Sequence, residues 1–314
     1  MTKVVGAVID YVTDVRLDSS IPPQKDVQKP NFVMVNPAPA DHYRGVLTEG
    51  GVKPAAIAAA WYPKPYDPSS SVRVLLHFHG GGFVAADCGD AVERGASKLL
   101  FQTTGSYTLA VGYRKACTAG NHFPAAIQDA VSAYTYLLDE CKVPPSKIVF
   151  SGDSAGANIV LALMRYVVEQ PGLFPTPGGA LLVSPWGDLT QDPAELVRHP
   201  NYKTDFVSAR FLQWGLDAYV PAAVELSHPY LSPALHPFRF PAPVWVQAGL
   251  LEVLLDQITT LVDSYAQIQG NVFEFSKVAN VNHDPLWFVN LIGFHKQAND
   301  AAVLIDDFFR RHGL

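Results

Sequence analysis

The sequence predicts an α/β fold, a mostly parallel central sheet flanked by helices. Three observations carry that expectation. From Val72 onward short apolar runs alternate with longer amphipathic ones. The short runs are rich in Val, Leu and Phe and poor in charge, as strands buried on both faces are. No internal repeat or low-complexity tract breaks the alternation.

Taken in order, the first strand is "VRVLLHFHG" (72–80), followed by a helix over "AVERGASKLLFQTTG" (91–105). The second is "YTLAVGYR" (107–114). The helix after it, "FPAAIQDAVSAYTYLLDE" (123–140), has Pro124 near its start and Ala126, Ile127, Ala130, Val131 and Tyr134 on one face. The third strand, "KIVFSGD" (147–153), leads into "AGANIVLALMRYVVEQ" (155–170), which Pro171-Gly172 stops. "GALLVSP" (179–185), "PVWVQAG" (243–249) and "VFEFSKVAN" (272–280) are further strands. "DQITTLVDSYAQIQ" (256–269) and "ANDAAVLIDDFFRRH" (298–312) are the last helices.

Two segments fall outside this rhythm, residues 1–50 and 186–240. Within a single domain spanning 1–314, both are expected to fold over one end of the sheet as a lid. The second contains a helix, "FVSARFLQWGLDAYV" (206–220), for which Asp205 and Ser208 are candidate caps. Its Phe206, Phe211, Trp214 and Tyr219 form an apolar stripe that can serve as plain packing or face a substrate.

Composition narrows the function classes. Of 314 residues, 48% are hydrophobic and 17% charged, enough for a sizeable core and too apolar for disorder. The net charge of −6 argues against nucleic acid or an anionic membrane as partner. Cys88, Cys117 and Cys141 are widely spaced, which suits neither a disulfide framework nor a zinc site and points to a reducing, cytoplasmic setting. The N-terminus lacks the ordered features of a signal peptide, and no apolar run is long enough for a membrane span.

The chemistry centres on "GDSAG" (152–156). Ser154 sits between an apolar strand and a helix, the context of a nucleophile elbow. Small neighbours allow a sharp turn, and the helix start aims N–H groups and a positive dipole end at the serine. A plain turn is the alternative use of the same residues. "HFHGGGFV" (77–84) places three glycines after a strand, where bare N–H groups can stabilise an oxyanion. Gly81, Gly82 and Ala155 are the candidate donors, and His79 a residue that orients the loop. His283 follows the last strand and can reach over the sheet's carboxyl edge as a base. The acid is Glu252, just after "PVWVQAG", or Asp256, which also suits the first turn of the next helix.

With these motifs together, the chain resembles the hormone-sensitive-lipase-like branch of the α/β-hydrolase superfamily. "HGGGF" (79–83) and "GDSAGAN" (152–158) match its signatures, and "YRKACTAGNHFPAAIQD" (113–129), "SPWGDL" (184–189) and "HPYLSPAL" (228–235) resemble further segments. In the stretch from Tyr113, Cys117 and Thr118 replace the branch's usual proline and glutamate. The resemblance implies the α/β-hydrolase fold, Ser154 as nucleophile, His283 as base and Gly81, Gly82 and Ala155 as oxyanion donors. It implies a lid from the two segments above and structural roles for Asp153 and Asn158. Glu252-Val253-Leu254 stands where most relatives have aspartate followed by Pro-Leu. The expected activity is hydrolysis of a moderately apolar small-molecule ester, without metal or organic cofactor. Phe83, Phe206, Trp214 and Trp287 are candidate substrate contacts. Acyl transfer or cyclisation through the same acyl-enzyme is the alternative, and a non-catalytic binding protein on the same scaffold is a third.

Overall fold

The computed structural model describes residues 6–7, 13, 31–288 and 293–314. Its strands are β1 (Phe32–Val35), β2 (Ile57–Tyr62), β3 (Val74–Phe78), β4 (Tyr107–Gly112), β5 (Ile148–Asp153), β6 (Gly179–Val183), β7 (Val244–Gly249) and β8 (Phe273–Val278). They form one sheet in the order β1-β2-β4-β3-β5-β6-β7-β8. The pairs β1–β2 and β2–β4 are antiparallel and the rest parallel. The described helices are α1 (Ala91–Thr104), α2 (Ala125–Asp139), α3 (Ser154–Glu169), α4 (Pro193–Leu196), α5 (Ala209–Tyr219), α6 (Leu255–Ala266) and α7 (His295–His312). Among the described residues no helix is long and apolar enough to cross a membrane.

Alternate strand residues face opposite layers. Val74, Leu76, Phe78, Ile148 and Phe150 join a core with α2, α3 and α6. Leu75, Val149, Leu181 and Trp245 join another with α1 and α7. Helices thus cover both faces, which explains why the central strands read as unbroken apolar runs. Helix ends follow local chemistry. Asp90 caps α1 by accepting the Glu93 N–H at 3.2 Å, and Gly105 ends it in the left-handed region at φ 71°.

The structure departs from the sequence reading at both sheet edges. "FVMV" in β1, within the segment expected to be lid, is an edge strand instead, and β2, "IAAAWY", was not anticipated. Residues 31–50 pack on the helices through His42 Nδ1–Thr135 Oγ1 (3.1 Å), Tyr43 Oη–Ser132 Oγ (2.8 Å) and the Arg44 N–H on Tyr166 Oη (2.8 Å). This portion stands beside α2 and α3, held by those bonds. The rest of the expected N-terminal lid lies outside the described residues, save Gly6, Ala7 and Thr13. β8, expected to be buried on both faces, is half-exposed. Among the described residues it pairs with β7 alone, and Glu274 on it turns outward to Arg311 and His312.

Of the 186–240 segment, residues 206–212 and the rest of α5 form a cap against the glycine loop and the cavity, whereas Tyr230, His236 and Phe238 pack on α3 and α6. A Cβ on Gly215 of α5 would stand 2.5 Å from the Gly82 carbonyl oxygen. Ser208 caps α5, accepting the Phe211 N–H at 3.3 Å. Asp205, the other candidate cap, bonds elsewhere.

The tightest approach is at the start of α3. A Cβ on Gly156 would lie 1.9 Å from the Phe78 carbonyl oxygen and 2.6 Å from that of His79. Backbone passes against backbone here, so no side-chain rotation can make room. Gly156→Ala is expected to cost about 3 kcal/mol, the upper end for overpacking. A lowered thermal denaturation midpoint, read by circular dichroism, checks this.

Candidate active site

β5 runs into α3 without a loop, and Ser154 occupies the junction at φ 51°. A non-glycine residue in this region is strained and persists where its surroundings over-determine it. The close approach of Gly156 to β3 and the Trp186 N–H, which donates to the Ser154 carbonyl at 3.1 Å, do so here.

Ser154 and His283 line one cavity of about 180 Å³, together with Gly80 and Gly81. Its walls are largely apolar, formed by Val92, Phe206, Val207, Phe211, Leu212 and Trp287. His283 is held from behind: its Nδ1 lies 2.8 Å from Glu252 Oε2. Glu252 is fully buried, and its Oε1 accepts from the Gly249 N–H (2.7 Å) and Ser184 Oγ (3.3 Å). Asp256 is directed away, its side chain 85% exposed and 3.5 Å from His199. Of the two carboxylates the sequence offered, the structure brings Glu252 to His283.

Burial opposes charge on the His283 imidazole. The hydrogen bond and charge of Glu252, aided by Asp205 and Asp153, outweigh it and hold His283 above its ordinary value. Burial pushes the Glu252 carboxyl up, and His283 and Ser184 pull against that shift.

The glycine loop is pinned at several points. The Gly80 N–H donates to Asp153 Oδ1 (2.9 Å), Tyr113 Oη to the His79 carbonyl (2.9 Å), and Val84 and Ala85 N–H to the Gly81 carbonyl (3.0 and 2.9 Å). His79 Nδ1 lies 2.7 Å from the Gly80 carbonyl while its ring stacks on Tyr113. Burial and the nearby Lys115 hold His79 below its ordinary value, so it serves the loop as a neutral donor. Gly81 sits at φ 104°, and a Cβ there would lie 2.4 Å from the Ala85 carbonyl oxygen. Among the described residues, no loop or side-chain acceptor takes up the N–H groups of Gly81, Gly82 or Ala155.

Of the four candidate substrate contacts, Phe206 and Trp287 line the cavity. Phe83 and Trp214 do not. Phe83 stacks on Tyr219 with centroids 3.8 Å apart, and Trp214 packs edge-on to Phe211. Both are anchors of the cap, and Phe211 takes the wall position instead. Asn158 donates to the Trp186 and Leu231 carbonyls, a purely structural use.

Two site residues went unread in the sequence. Ser184 Oγ accepts the Asp284 N–H at 3.0 Å while bonding Glu252, tying the loops of Glu252 and His283 together. Asp205 is buried and accepts four backbone N–H groups: Phe206 (2.8 Å) and Val207 (3.4 Å) of the cap, Val253 (2.7 Å) and His283 (3.3 Å). One carboxylate thereby joins the cap and the loops that carry Glu252 and His283. Only its resemblance to a helix cap was visible in sequence.

A family model described as alpha/beta hydrolase fold matches residues 75–286. An acetyl-hydrolase of Streptomyces hygroscopicus is 30% identical over 232 residues, 73% of this chain and 74% of that protein. The chain belongs to the α/β-hydrolase superfamily, in its hormone-sensitive-lipase-like branch. An esterase of Acinetobacter venetianus is 30% identical over 205 residues, 65% of this hydrolase and 65% of that protein. A solved esterase structure from Pyrobaculum calidifontis shares the fold, with a TM-score of 0.72 over 98% of this chain and 92% of that one, at 19% identity. This member of the branch is a carboxylesterase-type hydrolase.

Asp205→Ala would leave buried amides without acceptors, each worth about 1–3 kcal/mol. The variant of this hydrolase is expected to melt earlier and to lose protection at the Val253 and His283 amides. Hydrogen exchange resolved to those residues checks it.

Proposed function

We propose that Ser154, His283 and Glu252 form a catalytic triad that hydrolyses a small, uncharged, moderately apolar carboxylic ester. The observation that carries this reading is the 2.8 Å contact of His283 Nδ1 with buried Glu252, in a cavity that Ser154 and His283 both line. Nδ1–H donation to Glu252 leaves Nε2 as the acceptor for the serine proton. Ser154 Oγ attacks the ester carbonyl as His283 takes that proton. The carbonyl oxygen becomes an oxyanion, stabilised by N–H groups of Gly81, Gly82 and Ala155. His283 then protonates the leaving alcohol. Water, deprotonated by the same imidazole, cleaves the acyl-enzyme and returns Ser154.

The cavity supports this substrate class. A small space walled by Val92, Phe206, Phe211 and Leu212 suits a short acyl group and an uncharged alcohol. The acetyl-hydrolase relative supports a short acyl chain.

Ser154→Ala is expected to reduce turnover of p-nitrophenyl acetate to background. Glu252→Gln tests the acid, with a kcat loss of roughly a thousandfold or more. The pH dependence has a fixed sign. His283 acts when neutral, and Glu252 raises its pKa, which sets the acid limb of kcat/KM above the ordinary imidazole value. Without that charge burial dominates, and in Glu252→Gln the limb moves to lower pH. An acid limb that stays in place contradicts the assignment.

A further inference from the structure

Behind Ser154 lies a buried polar cluster that ester hydrolysis as described above does not use. His77 on β3 is fully buried, with Nε2 3.2 Å from Glu93 Oε2 and 3.3 Å from Asp153 Oδ1, aimed between the two. Its Nδ1 lies 3.0 Å from Ser151 Oγ, and Trp287 stacks flat on the ring at 4.2 Å. Asp284 is fully buried and within hydrogen-bonding reach of Asp153.

Glu93 and Asp153 thus face the His77 imidazole and Asp284 stands beside Asp153, so full ionisation of the three buried carboxyl groups would leave uncompensated negative charge in the interior. The donors around each group show where a proton belongs. Glu93 accepts from Ser97 Oγ (2.9 Å) and Trp287 Nε1 (3.1 Å) besides facing His77. Asp153 accepts the Gly80 N–H and faces His77. Both are set up as carboxylates. Asp284 Oδ1 receives only the Trp287 N–H, at a long 3.5 Å, and its buried Oδ2 has no N–H or hydroxyl donor among the described residues. Two carboxylates in contact repel, whereas a proton between them makes a strong O–H···O⁻ bond.

We propose that Asp284 is a neutral carboxylic acid donating its proton to the Asp153 carboxylate, and that this bond sets the spacing of nucleophile and base. Asp153 immediately precedes Ser154, and Asp284 immediately follows His283. The bond thus clamps the elbow to the base loop from beneath, while Glu252 and Ser184 hold that loop from the side. Asp284 acts through its neighbours and is a positioning residue. Keeping it neutral also spares His283 another adjacent anion.

The electrostatics agree. Burial, then the charge of Asp153, pushes Asp284 well above the usual carboxyl range. Burial would raise Asp153 too, but His77 and the bond from Asp284 outweigh it and hold Asp153 low. Burial opposes charge on His77, yet Glu93 and Asp153 raise it to about 9. The ionisable groups facing the pair are His77 on β3, His79 in the glycine loop, Glu252 after β7, and His283, while Glu93 on α1 faces His77. As pH rises the shared proton is lost, the pair repels, and elbow and base loop separate.

The clamp's kinetic role rests on the triad reading; the shared proton does not, and the experiment separates the two. Infrared difference spectra of wild type against Asp284→Asn at neutral pH are expected to contain a protonated carboxylic C=O band that the variant lacks. No such band overturns the proposal whether or not the protein hydrolyses esters. In kinetics, Asp284→Leu removes the donor and is expected to lower kcat on the order of a hundredfold, with KM little changed. Asp284→Asn restores an N–H donor to Asp153, recovers most of that loss, and moves the alkaline limb of the profile to higher pH. Equal losses in the two variants, or an unmoved alkaline limb, contradict the clamp.

Discussion

The site depends on one steric constraint, the passage of the first turn of α3 directly over the end of β3. Gly156 faces the carbonyls of Phe78 and His79 at distances that exclude a Cβ. That contact fixes Ser154 in a left-handed conformation and aims the start of α3 at the cavity. It also brings the glycine loop, which continues from β3, beside Ser154. Gly80 then bonds Asp153, and Gly81 enters the cavity wall. The strand-to-helix turn and the glycine loop are thus two sides of the same close approach.

The other half of the site arrives from sequence-distant loops, and buried carboxylates tie it down. Glu252 bonds His283, Asp205 gathers amides from the cap and from the loops of Val253 and His283, and Asp284 meets Asp153. Each carboxylate is buried and each has partners suited to its charge state, the condition under which buried polar groups rigidify a structure instead of weakening it. The cap adds apolar walls without supplying a reacting group. Its aromatic residues divide between lining, as with Phe206 and Phe211, and anchoring, as with Trp214 and Tyr219.

Much of this was legible in the sequence where the information is local. The elbow and the glycine loop announce themselves because backbone geometry restricts which residues fit within a few positions. Strand and helix order from Val72 followed from burial on both faces. The edges were harder. β2 is an alanine run with weak strand character, and β1 is a four-residue pair to it. β8 looked central because Phe273 and Phe275 are apolar, although among the described residues it pairs on one side only. Phe83 and Trp214 were expected at the substrate because aromatic character says nothing about direction. Asp205, Ser184 and the His77 cluster stayed hidden for a common reason: their partners lie tens of residues or more away in the chain.

The most direct test of the central claim is intact-protein and peptide mass spectrometry after treatment with a serine-directed phosphonate ester. One stoichiometric adduct is expected on the peptide containing Ser154, formed at a rate that falls sharply in Glu252→Gln. An unmodified Ser154, or an adduct on another residue with hydrolysis still inhibited, would contradict it.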